Sequence, residues 1–224
     1  MHAEPTYYHN ERSEVGALIT GRPRRILEVG AGAGRTLKWL KSIIPNAHTT
    51  GVEINGELQS ELRKNADVSY IGPIEQCIEQ LDTYDMILCL DVLEHLIDPP
   101  GVLRRLCNLL TRDTAAQVII SLPNVAHLSV SLPLLLGRRF TYQDAGILDR
   151  THLRFFTETS VLELLNDAGL VATAGLASGF NGPKSKALDT LTFGLLRHHL
   201  TKRYIVRGEP SRTIKQEPIR WERN

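Results

Sequence analysis

Cysteine is scarce in this chain, and the three present, Cys77, Cys89 and Cys107, are odd in number and show no C-x-x-C spacing. That excludes a disulfide scaffold, argues against a structural zinc site and points to a reducing compartment. Cys89 lies in an apolar run and Cys107 on a helical face, the usual places of small core residues. Long apolar runs are missing too. The longest, Leu128 to Gly137, is interrupted by Pro133 and is far too short to span a bilayer. Met1-His2-Ala3-Glu4-Pro5 has no basic region followed by an apolar core, so no signal peptide is expected and the chain reads as cytoplasmic. Nor is there an excess of one charge. Lys plus Arg (26) against Asp plus Glu (25) leaves +1, which offers no basic field to a nucleic acid. The stretch 201–224 departs from this balance, with Lys202, Arg203, Arg207, Arg212, Lys215, Arg220 and Arg223 against Glu209, Glu217 and Glu222. Such a run is expected to be solvated, and residues 209–224 read as a basic, flexible tail.

What is present is an ordinary globular composition, 42% hydrophobic and 23% charged over 224 residues, enough for one large domain with appendages. That domain is expected over residues 1–208, and it is organised around Arg25-Ile26-Leu27-Glu28-Val29-Gly30-Ala31-Gly32-Ala33-Gly34-Arg35. Ile26, Leu27 and Val29 suit a buried parallel strand. A glycine turn follows, and then a helical pattern with Leu37, Leu40 and Ile44 on one face. Strand, glycine turn and helix make a nucleotide-binding corner, where the backbone approaches a ligand closely and the helix N-terminus offers N–H groups.

The spacing narrows the ligand. Dinucleotide sites read G-x-G-x-x-G, whereas these glycines fall at 30, 32 and 34, and Glu28 would meet a pyrophosphate with negative charge. An acid there suits a cationic amine instead. A second strand, Ala47 to Ile54, brings Glu53 nineteen residues beyond Gly34, close to the ~20 that sets an acid opposite ribose hydroxyls. Asn55 is expected to cap a helix through Asn65, and Val68–Ile71 forms a third strand before Gly72-Pro73-Ile74. Residues 84–95 make a central fourth strand and its exit, with Asp91, Glu94 and His95 at the C-terminal end, where open α/β sheets bind ligands. Asp98-Pro99-Pro100 opens a helix, and Gln117 to Leu122 is a fifth strand. Alternation of strand and helix predicts an α/β, doubly wound, Rossmann-like and mostly parallel sheet.

Residues 125–156 are not required by that core. They hold a Pro-bent apolar helix (Leu128 to Gly137), then Arg138-Arg139-Phe140-Thr141-Tyr142, then Gly146 to Phe156, before Thr157 caps a helix that stops at Gly169. An apolar insertion beside the strand ends is the place for a helical lid over a substrate, or else it packs the sheet edge.

The E-x-G-x-G-x-G pattern resembles motif I of the class I S-adenosylmethionine (SAM) methyltransferases, and residues 24–122 are similar to that core in order and spacing. Tyr84-Asp85 through Leu93-Glu94-His95-Leu96 to Asp98-Pro99 resembles ubiquinone-biosynthesis-type O-methyltransferases. Leu122-Pro123-Asn124-Val125-Ala126-His127 and Gly146 to Thr157 are similar to a broad bacterial subgroup, the former also to the W-type proteins of methionine biosynthesis. The resemblance implies a seven-stranded sheet ending in an antiparallel hairpin from about 170–176 and 202–207. It also implies SAM as cofactor, held at Glu28, Gly30, Ala31, Gly32, Gly34, Glu53, Ile54, Gly72, Ile74, Asp91 and Val92. The usual adenine-binding Asp is replaced by Pro73, leaving the Ile74 N–H for that role. The implied activity is methyl transfer to a small-molecule acceptor, most simply a hydroxyl. An alternative is a non-catalytic partner of the same fold that regulates a biosynthetic enzyme.

A hydroxyl acceptor needs a general base, and histidine titrates in the right range. His95 and His152 are the candidates, with His127 third. Each has a structural alternative: His95 bonding a backbone carbonyl, His152 holding the insertion to the helix that follows. No group of acids and Asn follows strand four at a bidentate spacing, so no metal is expected.

Overall fold

A computed structural model describes residues 9–112, 115–179, 182–211, 219 and 221–223. Its centre is a single sheet of eight strands: β1 (Arg25–Val29), β2 (His48–Glu53), β3 (Val68–Ile71), β4 (Met86–Leu90), β5 (Gln117–Pro123), β6 (Leu170–Ser178), β7 (Arg203–Pro210) and β8 (Trp221–Arg223). The spatial order is β3-β2-β1-β4-β5-β7-β6-β8. β1 to β5 run parallel, and β7 lies antiparallel between β5 and β6. β4 is apolar throughout, and β1 and β5 are mostly so, because both faces are covered. On one face, α1 (Arg35–Ile43), α2 (Gln59–Asn65) and a 3-10 turn at Ser13–Leu18 pack Leu37, Leu40, Leu62, Val15 and Leu18 against Ile26, Met86 and Leu88. On the other, α3 (Ile74–Cys77), α4 (Pro99–Cys107) and α6 (Glu158–Asp167) pack Ile74, Leu103, Leu106, Val161 and Leu165 against Leu27, Ile87 and Val118.

Local chemistry starts and stops these helices. The Asp98 side chain accepts from the Gly101 N–H at 3.0 Å, with Pro99 in the first turn of α4. Thr157 and Ser160 form a reciprocal capping box on α6, and Gly169, at φ +79°, takes the left-handed position that ends it. Asn55 accepts from the Glu57 N–H, though the helix expected behind it begins as a 3-10 turn, Gly56–Leu58.

Two features differ from the sequence expectations. The sheet has eight strands rather than seven, because β8 pairs in parallel with β6, Gly175 opposite Trp221. Part of the stretch read as a flexible tail is therefore a sheet edge. The reason is Trp221, whose ring lies over Gly175, meets Tyr204 at a tilt with centroids 4.8 Å apart and donates through Nε1 to Glu158 at 2.9 Å. Residues 212–218, 220 and 224 of that stretch lie outside the described residues. Second, the insertion is two pieces. α5 (Leu128–Gly137), which holds Pro133 inside it, and residues 138–146 are largely exposed, with Leu135 and Leu136 79% and 76% accessible. By contrast, Leu148, His152 and Phe156 are buried, and the Leu153 and Arg154 N–H groups both donate to the Glu94 carbonyl at 2.8 and 3.0 Å. Two further helices, α7 (Pro183–Leu191) and α8 (Arg197–Leu200), precede β7. Among the described residues no helix is long and apolar enough to cross a membrane.

Candidate active site

The expected site residues other than His152 lie at or near the C-terminal ends of β1, β2, β3 and β4, at one edge of the sheet. The glycine turn after β1 has left-handed backbone at Gly30, Gly32 and Gly34 (φ +69°, +53° and +75°). A side chain on Gly30 would put its Cβ 2.4 Å from Val92 Cγ2, so the β1 and β4 exits approach as closely as they do only with glycine there. The Gly30 and Ala31 N–H groups both donate to the Val52 carbonyl, and Gly34 caps α1 without a side chain.

The two acids of this end differ. Glu53 is buried, and its oxygens accept from the Gly32 N–H at 2.7 Å and the Asn55 N–H at 2.8 Å, which pins the end of β2 to the glycine turn. Glu28 is buried with Oε2 lacking any hydrogen-bond partner among the described residues. Burial pushes its carboxyl up to about 8, the nearby Glu53 adding to this, while a hydrogen bond with Thr36 and the charge of Arg12 work against it. Gly72 has extended, positive-φ backbone and donates to the Glu53 carbonyl. Ile74 opens α3, so its N–H precedes the first intrahelical bond. Ile54 is largely exposed beside them.

Asp91 is not an open carboxylate. It has left-handed backbone (φ +57°), accepts from Ser121 Oγ and from Arg12 at 2.8 Å, and pairs with Arg203 at 3.0 Å. Burial raises its carboxyl, but the Arg203 and Arg12 guanidiniums and the Ser121 hydroxyl outweigh that and hold it below the usual range. Sequence reading missed Arg12, Ser121 and Arg203. Arg12 sits in an irregular polar stretch and Arg203 in a run read mainly for its charge, so neither carried a local signal.

The third group stands where the 3-10 turn Leu93–His95 meets residues 147–156. Glu94 is 1% accessible, its Oε2 has no hydrogen-bond partner among the described residues, and its Oε1 lies 4.0 Å from His152 Nε2. The His95 and His152 rings meet edge to face with centroids 4.8 Å apart. His95 Nδ1 is 3.2 Å from the Thr151 carbonyl and His152 Nδ1 is 3.0 Å from the Ile147 carbonyl. A carbonyl only accepts, so each Nδ1 carries the hydrogen and each Nε2 is left basic. Burial lowers His95, as does the neighbouring His152, against the Thr151 carbonyl and the charges of Asp149 and Asp91. Burial, then the charge of Asp91, raises Glu94 well above the carboxylate range. The two histidines that the sequence nominated are thus together, and Glu94 joins them. His127 is elsewhere employed: its Nδ1 accepts from the Ser129 N–H and caps α5.

Residues 4–174 match a family described as a methyltransferase domain. Among curated proteins, the ubiquinone biosynthesis O-methyltransferase of Aeromonas salmonicida (strain A449) is 26% identical over 155 residues, covering 66% of this chain and 63% of that protein. The chain spans less than two thirds of the length of the curated relatives it matches first. Among solved structures, a SAM dependent methyltransferase from Archaeoglobus fulgidus superposes with a TM-score of 0.59 at 16% identity, covering 88% of this chain and 91% of that one. A plantazolicin methyltransferase in complex with a triazolic desmethylPZN analog and SAH, the demethylated product of SAM, gives 0.58 at 18% identity, covering 84% and 77%. At such identities the likeness speaks for the fold.

Proposed function

The chain belongs to the methyltransferase domain family, and from that premise we propose that it binds SAM at the glycine turn and methylates a hydroxyl of a small molecule. The observation that carries the cofactor reading is the buried Glu28 Oε2, without a hydrogen-bond partner among the described residues, at the head of a turn with no room for a side chain at Gly30. A carboxyl in that state is stabilised by a cation, and the ammonium of the methionine part of SAM is one. Glu53, held by the Gly32 and Asn55 N–H groups, has lone pairs to spare for ribose hydroxyls. Ala31, Gly32, Gly34, Ile54, Gly72, Ile74 and Val92 line the same edge, and the Ile74 N–H is the donor for adenine. Asp91 belongs to this end through its backbone, since its carboxylate is engaged by Arg12 and Arg203.

Bound SAM supplies a methyl on a sulfonium: the acceptor oxygen bonds the methyl carbon while the C–S electron pair stays on sulfur and the hydroxyl proton leaves. The residues of the chain must therefore hold the acceptor in line and relieve its oxygen of that proton. The second task falls to His95 or His152. Both have Nδ1 committed to a carbonyl, and burial, with His152 beside it, favours the neutral form of His95. The largely exposed part of the insertion, residues 131–146, covers the acceptor. The test is to incubate the protein with SAM and separate panels of phenols, sugars, carboxylic acids and amines, measuring SAH release. Turnover with a hydroxyl panel is expected; turnover confined to amines would overturn the acceptor reading.

A further inference from the structure

We propose that Glu94, His95 and His152 form a binding site for a divalent transition-metal cation, of which zinc is the best match. One oxygen or nitrogen of each residue lies within 4.8 Å of the others. Two imidazoles and a carboxylate are a ligand set of catalytic zinc sites, which leave a fourth position for water or substrate.

Three observations favour a cation over a packed polar cluster. The Glu94 carboxylate is almost wholly buried, one oxygen has no hydrogen-bond partner among the described residues, and the other is 4.0 Å from His152 Nε2, too far for a hydrogen bond. Leaving such a group unsatisfied is costly, and a cation at the centre of the three would satisfy it. Next, both histidines already have the outer contacts of metal ligands. Each donates Nδ1–H to a backbone carbonyl, Thr151 and Ile147, which fixes the tautomer with Nε2 available. Last, the two halves of the site are tied by backbone. The Leu153 and Arg154 N–H groups on the Glu94 carbonyl hold the segment bearing His152 against the turn bearing Glu94 and His95.

Ligand atoms of a tetrahedral zinc site stand about 3.4 Å apart, so binding would draw these three groups together by roughly an ångström. The sequence expectation of a metal-free site considered spacing after strand four alone, and the third ligand comes from the insertion.

This inference rests on the proposed methyl transfer only for the role of the cation. There it would bind the acceptor oxygen and lower the pKa of its hydroxyl, the proton passing to solvent, with the histidines as ligands rather than bases. Cation binding itself stands apart from SAM and is tested apart from it. The purified protein is stripped with a chelator and titrated with Co2+, following visible absorption, and then with Zn2+ by calorimetry. SAH is titrated in parallel. Expected are one Co2+ per chain with the intense visible bands of a four- or five-coordinate site, displaced by Zn2+. Zn2+ affinity should fall at least 100-fold in Glu94→Gln and in His152→Ala, and stay within twofold in His48→Ala, which alters an exposed histidine beside Asp67. His95→Ala, at a half-buried position, serves if Glu94→Gln fails to fold. Absence of the bands and of saturable Zn2+ binding in the stripped protein overturns the inference, as does affinity unchanged in these variants. Normal SAH binding alongside either result would leave the cofactor reading intact.

Discussion

The glycine turn takes its groups from one continuous strand–turn–helix–strand unit, Arg25 to Glu53, whereas the Glu94–His95–His152 cluster joins a turn after β4 to a segment of the insertion. The first is held by backbone geometry: positive-φ glycines, two N–H groups on the Val52 carbonyl, and Glu53 on the Gly32 N–H. The second depends on how residues 147–156 dock, and its two histidines are each held by a single contact to a carbonyl. The contrast teaches that cofactor binding and acceptor chemistry should fail separately in this molecule. A change at one end should leave the other largely unaltered.

The largest effect expected belongs to the cofactor end and to pH. Folded Glu28 keeps its proton to about pH 8, while the unfolded carboxyl loses it near 4.5. Between those values the folded state binds the extra proton, so the contribution of Glu28 is fully present below about 4.5 and is lost as pH rises through about 8. The loss is of order 5 kcal/mol across that window. Denaturant melts of the parent and Glu28→Gln at several pH values check this: the variant should show a flatter dependence. SAM binding, which places a cation against the ionised form, should also release a proton below pH 8, readable by calorimetry in buffers of different ionisation enthalpy.

The next effect sharpens the contrast from the other side. His152→Ala should lower turnover by roughly a hundredfold or more, whether the imidazole acts as base or as ligand. SAH affinity should stay within about twofold of the parent. Equal losses of turnover and of SAH affinity would mean that the two ends are one unit.

The smallest effect divides the insertion. Amide exchange over residues 131–146 should run at least about tenfold faster than over 147–156, because the latter bury Leu148, His152 and Phe156. An acceptor that turns over should slow exchange in 131–146 alone. Equal protection along the whole insertion would count against a cover over the acceptor.

The same contrast governs what could be read from the sequence. Spacing within Arg25 to Glu53 is local, so the strand, glycine turn and acidic residues were legible, as were the caps at Asp98 and Thr157 and the parallel sheet. The acceptor end was half legible. Each histidine stood out by its chemistry, but their meeting depends on the chain returning through the insertion, and Glu94, grouped with Asp91 and His95 at the strand exit, carried no role of its own. Arg12, Ser121 and Arg203, which surround Asp91, come from three distant segments and no spacing links them. The eighth strand escaped notice because three residues around one tryptophan carry no alternation to count. Its register is set by the ring of Trp221 over Gly175, a tertiary contact.

The central claim is that the glycine turn and Glu53 hold SAM. Calorimetric titration of SAH into the parent protein and into Glu53→Ala tests it most directly. The account predicts one site per chain in the parent and binding weakened by about 1–3 kcal/mol in the variant, from lost hydrogen bonds to the ribose. No heat at millimolar SAH, or equal affinity in both proteins, would contradict it.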